Sequence, residues 1–212
     1  MDLRQSIREG LVGLSQVGEV LVKADGMPPF VVSIDGLEVE PVSAYLTELI
    51  LSDTSPLTVE SYAYDLLRWW RLLALVDVAW DRASRAEVEL MVGWMRSAAN
   101  PQRRRADLRV AQPGSVNLKT GKPALRAGYA PSTINHQLSV LAAFYEFHLL
   151  FGRGPLVNPV PIAAERRNAW EHRSPLEPTP VFGRAPLRQK VPKRAPRSIP
   201  DTLWDELFAT MG

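Results

Sequence analysis

Apolar residues recur at three- and four-residue steps in four stretches of this chain, and each such stretch predicts an amphipathic helix. In the first, Pro41 to Leu51, the stripe is Val42, Leu46, Leu49 and Ile50. The second runs from Pro56 to about Leu75, with Val59, Leu66, Trp69, Trp70 and Leu73 on one face. The third follows Ser84-Arg85-Ala86-Glu87, a capping-box pattern in which hydroxyl and carboxylate satisfy backbone N–H groups reciprocally, and carries Val88, Met91, Val92 and Met95 inward before Asn100-Pro101. The fourth begins at Ala130-Pro131 and carries Ile134, Leu138, Leu141, Ala142, Tyr145 and Leu149. Pro56 and Pro131 suit first-turn positions, where a missing N–H costs nothing. Gly152, Gly154 and Pro155 are stop signals. Trp80, in the connection from Asp77 to Ala83, is expected to anchor the core.

Ahead of these helices the pattern changes. Val17–Lys23 and Phe30–Ile34 have β-branched, strand-like content, and Asp35-Gly36 reads as a tight hairpin turn leading to a return strand at Leu37–Glu40. Asp25-Gly26 and Pro28-Pro29 mark another turn. The pattern therefore divides the chain into an N-terminal β-ribbon arm (1–40) and a helical domain (41–160). After them come a proline-rich basic linker (161–197) and one extra helix (198–212). The linker assignment rests on proline: residues 155–200 hold 10 of the chain's 18. The last helix opens at Ser198-Ile199-Pro200-Asp201 and carries Trp204, Leu207, Phe208 and Met211. The expected class is mainly α.

Charge changes this picture more than composition does. The 212 residues carry a formal net charge of only +2, with an ordinary globular hydrophobic fraction of 46%. The charge is segregated, however. Residues 1–60 contain 10 acidic and 3 basic side chains, residues 102–130 contain 7 basic and 1 acidic, and residues 184–200 contain 6 basic and none acidic. Two basic blocks on an otherwise acidic or neutral chain point to a polyanion partner, and the acidity of the ribbon argues against its own contact with such a partner. Arg103, Arg104 and Arg105 open a long connection between the third and fourth helices, and loops of that length are usually functional or disordered. There is no cysteine, so neither disulfides nor thiolate metal sites are available, which suits a reducing cytoplasm. No apolar run resembles a signal peptide or approaches membrane-spanning length, and no metal or cofactor motif is present.

The second and fourth helices begin alike. Pro56, Thr58 and Val59 match Pro131, Thr133 and Ile134. The fourth helix adds Ser132, Asn135, His136 and Ser139 near its start, where unpaired N–H groups and the helix dipole attract anions. Thr58 to Tyr62 followed by Asp65-Leu66, then Ser132-Thr133-Ile134-Asn135 leading to Ala143-Phe144-Tyr145 and Asn158-Pro159, resembles the tyrosine recombinases, or phage-integrase family. More narrowly, residues 42–159 resemble that family's N-terminal core-binding domain, a SAM-like helical domain. The resemblance implies a four-helix DNA-binding module whose second and fourth helices approach the groove of double-stranded DNA, with other recombinase protomers as further partners.

On that basis Thr58, Ser61, Ser132, Thr133, Asn135 and His136 are candidate contacts, Asn135 towards an adenine edge and His136 towards phosphate or base. Arg103, Arg104, Arg105, Lys190, Lys193, Arg194 and Arg197 are candidate phosphate contacts, the last four on a proline-stiffened strand. The family's catalytic Arg, Lys, His-x-x-Arg and Tyr motifs do not occur; none of His136, His148 and His172 has Arg three residues on. The expected function is DNA binding in integration or recombination without strand cleavage, the last helix resembling the start of an incomplete catalytic domain. The alternative is a helical protein-interaction module or a short competitor of a full-length recombinase.

Overall fold

The computed structural model describes residues 2–23, 28–98, 128–161, 185–191 and 208. It is mainly helical, with a small three-stranded antiparallel sheet near the N-terminus. The helices are α1 (Leu3–Arg8), α2 (Glu40–Leu51), α3 (Pro56–Val76), α4 (Arg85–Ser97) and α5 (Pro131–Leu150), and a 3-10 turn covers Trp80–Arg82. The strands are β1 (Glu19–Val22), β2 (Phe30–Ile34) and β3 (Leu37–Glu38), with β2 in the middle.

The hairpin between β2 and β3 turns on Asp35 and Gly36 at φ 52° and 78°. Two successive positive φ angles match the right-handed twist of the flanking strands. The turn sets Ile34 opposite Leu37 and Ser33 opposite Glu38. β1 pairs with β2 from Glu19 opposite Ser33 to Val22 opposite Phe30, and Lys23 closes the sheet with a 2.7 Å ion pair to Glu38. Val31 and Val32 are buried. The ribbon forms as the pattern predicts, and it is built into the helical body: Ile7, Leu14 and Val32 belong to one core cluster with Leu46, Trp69, Met91 and Leu138. Arg71 of α3 secures it, donating from Nε to Val17 O and from Nη2 to Gly18 O, both at 2.7 Å.

α1 has no counterpart in the apolar pattern, because six residues are too few for a helical period to show. Asp2 caps it, Ile7 is fully buried, and the helix lies against α4. Two contacts fix it there: Arg4 to Glu87 at 2.8 Å, and Ser97 Oγ donating to Arg8 O at 2.8 Å.

α3 is the central element, packing against α2, α4, α5, β1 and β2. Its start is capped by Ser55 with Pro56 in the first turn, and it ends at Asp77 in the left-handed region. α4 opens with the expected capping box between Ser84 and Glu87. Val88, Met91, Val92 and Met95 are all buried, as the period requires. Trp69, Phe144 and Tyr145 fill the centre, with Trp70, Trp80 and His148 stacked or edge-on around Phe144 and Tyr145. In α2 the stripe shifts from expectation: Tyr45 is buried, whereas Leu49 and Ile50 are only half-buried.

The chain returns to this core at Gly128, where φ is +84° and a Cβ would lie 2.1 Å from Arg96 O, so only glycine fits. Tyr129 N then donates to Met95 O at 2.7 Å. After α5, Asn158 donates to Ala142 O at 2.9 Å and accepts from Val160 N, folding the exit back so that Val160 is buried. The last helix expected from sequence lies outside the described residues except for Phe208, which is helical and exposed. No helix among the described residues is long and apolar enough to cross a membrane.

Candidate nucleic-acid interface

The matching starts of α3 and α5 are capped differently. Ser55 Oγ accepts from Thr58 N at 3.4 Å and meets Thr58 Oγ1 at 2.9 Å, so Thr58 is a member of its own helix cap. α5 begins after Ala130, which has no side chain to cap with. Ser132 is exposed and Thr133 half-buried on that first turn. Where Thr58 was expected to meet DNA, its hydroxyl is thus already engaged by Ser55, while the first turn of α5 has no side-chain cap.

Packing of α3 against α5 brings two of the candidate residues together. Ser61 Oγ and His136 Nε2 lie 3.4 Å apart, and both residues are exposed. The His136 ring stands edge-on to Tyr62 at 5.5 Å between centroids, which fixes its tilt.

Beneath this pair lies a polar network that the apolar pattern does not reveal. Asp65 is 5% exposed and Gln137 is fully buried. Arg68 Nη1 donates to both Asp65 Oδ1 and Gln137 Oε1. Gln137 Nε2 donates to Asp65 O at 2.9 Å, joining the backbone of α3 to a side chain of α5. The Arg68 guanidinium also stacks over the Tyr129 ring at 5.3 Å. The second carboxylate oxygen, Asp65 Oδ2, is buried without a hydrogen bond and faces His136 Nε2 at 3.4 Å. The one sequence signal for the network was Gln137 itself, a polar residue next to Leu138 and three residues after Ile134 on an inward face.

Part of the basic segment lies against the same helix. Residues 185–191 lie along α5, with Leu187 packed against the core. Arg188 Nη2 donates to Ser139 Oγ at 2.8 Å, and Ser139 Oγ in turn donates to Asn135 O at 3.0 Å. Asn135 holds the segment through its main chain: Nδ2 donates to Gln189 O at 2.9 Å and Oδ1 accepts from Gln189 N at 2.7 Å. The amide edge that was expected to read adenine is therefore committed to the protein's own backbone. Lys190, the next residue, is exposed. Arg103, Arg104, Arg105, Lys193, Arg194 and Arg197 lie outside the described residues.

Ser61, Ser132, His136 and Lys190 are the exposed polar side chains among these candidates. Among the described residues no group of three or more His, Asp or Glu side chains is placed to hold a metal ion. Compared with known proteins, the chain matches no family model, no curated protein and no solved structure.

Proposed function

We propose that this chain is a double-stranded DNA-binding module of the kind that tyrosine recombinases use to grip their sites, and that it binds without cutting. The observation that carries the reading is the juxtaposition of Ser61 and His136 on two helices that start alike, with the basic segment at residues 185–191 lying along the second of them. Phosphates are met by such short polar groups, by helix starts and by lysine. Binding without cutting is what these 212 residues support: they carry none of the family's His-x-x-Arg and nucleophilic tyrosine motifs, the groups that would form a covalent phosphotyrosyl bond.

The test is a duplex titration at several salt concentrations. Binding should weaken linearly in log–log form, with a slope of about 0.9 per phosphate neutralised. Lys190→Ala should lower that slope by about one contact, and incubation with supercoiled DNA should leave no covalent adduct. Salt-independent or absent binding would overturn the reading.

A second reading, a protein-interaction module, is favoured by one feature. Leu150, Phe151, Leu156 and Val157, on and just after the last turn of α5, are all exposed, Leu156 completely. Exposed apolar groups this close together mark interaction surfaces. Sedimentation of the chain with and without Leu156→Ser and Val157→Ser distinguishes this reading, which requires association that the double variant abolishes.

A further inference from the structure

We infer that Asn135 is a positioning residue: a backbone clamp that seats residues 185–191 on α5 and thereby fixes where the basic segment presents its charge. The inference rests on the DNA-binding reading for its consequence, but not for the clamp itself.

Three observations carry it. First, Asn135 exchanges both a donated and an accepted hydrogen bond with the main chain of a single residue, Gln189. A side-chain amide used this way grips peptide backbone as a neighbouring strand would, whatever side chain the gripped residue bears. The Gln189 side chain is in fact turned elsewhere, donating to Leu187 O at 2.6 Å. Second, the two residues that lead into the clamp also touch the helical body: Arg188 reaches Ser139, one helical turn along α5, and Leu187 packs against the core cluster. Third, the approach to the clamp is a turn with Pro186 and Leu187 at its centre, closed by Arg188 N donating to Ala185 O at 3.3 Å. Leu187 sits there at φ 67°, in the region that favours glycine. A leucine held in that conformation persists only where its surroundings over-determine it. The packing of its half-buried side chain against the core and the clamp two residues on supply that determination.

The consequence is specific. A basic segment that wanders over a surface contributes charge but no register. One pinned at residue 189 delivers Lys190 to a fixed place beside the exposed start of α5. Loss of the clamp should therefore weaken phosphate contact although every positive charge remains.

The chain lacks cysteine, so two introduced cysteines at exposed positions, Glu146→Cys on α5 and Val191→Cys on the segment, accept spin labels cleanly. Pulsed electron resonance should give a narrow distance distribution in the otherwise native chain. Asn135→Ala should broaden it. So should Gln189→Pro, which removes the clamped N–H while leaving α5 untouched and so answers any objection that a helix variant misfolds. Unlabelled proteins titrated with duplex DNA should show Asn135→Ala and Gln189→Pro each lowering the salt slope by about as much as Lys190→Ala. A narrow distribution retained in both variants overturns the clamp. Broadened distributions with an unchanged salt slope overturn the positioning role. If the native chain binds no duplex at all, the functional reading falls and the labels alone decide the clamp.

Discussion

The indole N–H of Trp69 on α3 donates to the hydroxyl of Tyr145 on α5 at 2.9 Å, and that hydroxyl donates onward to Trp80 O at 2.9 Å. The two rings meet edge to face, 6.3 Å between centroids at 89°. One hydroxyl thus joins α3, α5 and the connection before α4. Burial holds it protonated far above the ordinary tyrosine range, even though the Trp69 bond favours the charged form.

Tyr145→Phe keeps the ring and removes the joint. The buried Trp69 N–H then loses its partner, at roughly 1–3 kcal/mol, while the Trp80 carbonyl, which is only part-buried, adds less. The urea midpoint should fall with an unchanged m-value; an unchanged midpoint would show that the hydroxyl contributes nothing.

His148 gives the fold a pH dependence of known sign. It is fully buried among Trp80, Phe144 and Phe147. Nε2 donates to Pro41 O at 3.0 Å, and Nδ1 has no partner. Burial pushes its pKa below the usual histidine range; the Pro41 bond opposes this, Arg153 adds to it, and Glu40 opposes it. The unfolded chain therefore takes up a proton first. Stability is complete above about pH 6.5 and declines as pH falls below that value towards the depressed folded pKa. Urea midpoints from pH 7.5 down to 5 should decline in the native chain and stay flatter in His148→Phe.

Glu87 acts in a lower window. Burial raises its pKa, but bonds from the Ser84 hydroxyl, the Ser84 N–H and Arg4 outweigh this and leave it below the ordinary glutamate value. Its contribution is present above about pH 4.3 and is lost as pH falls through the folded pKa. Glu87→Gln at pH 7 weakens three contacts, two of them within the capping box, and should cost about 1–3 kcal/mol. Because Arg4 is one of the partners, amide exchange in α1 should quicken alongside; unchanged exchange there would show that Arg4 does not anchor that helix.

Asp65 and Arg68 form a largely buried pair whose removal depends on how it is done. Asp65→Ala takes away the counter-charge of the guanidinium and leaves it Gln137 Oε1 as hydrogen-bond partner, and should cost about 3 kcal/mol, the low end for buried pairs because Arg68 is partly exposed. Replacing both, as Asp65→Leu with Arg68→Met, should recover much of that loss. A double variant no better than Asp65→Ala would mean the network is held by Gln137 rather than by charge.

The ends of the elements were legible because their causes are local. Pro56, Pro131, the Ser84–Glu87 box and the Asp35-Gly36 turn all act within four residues, so sequence alone places α3, α4, α5 and the hairpin. The apolar stripes of α3 and α4 follow from the helical period for the same reason. α1 escaped because one turn and a half leaves no period, although Asp2 is its cap. The site was legible only in part. Ser61 and His136 were named from the resemblance to the recombinase core-binding domain, and packing brings them together across 75 positions of sequence.

What the sequence by itself determined is the set of pieces: four amphipathic helices, a ribbon, and basic charge confined to particular stretches. Only the tertiary structure decided how polar groups are spent. Asn135 looked like a free reader of bases, yet its amide holds a backbone 54 positions away. His148 is buried by its bond to a carbonyl 107 positions back, and Asp65 by Gln137, 72 positions on. The physical reason is the same in each case. A helical period states which face turns inward, but a hydrogen bond is made to whichever partner packing delivers, and that partner is set by chain segments far apart in sequence.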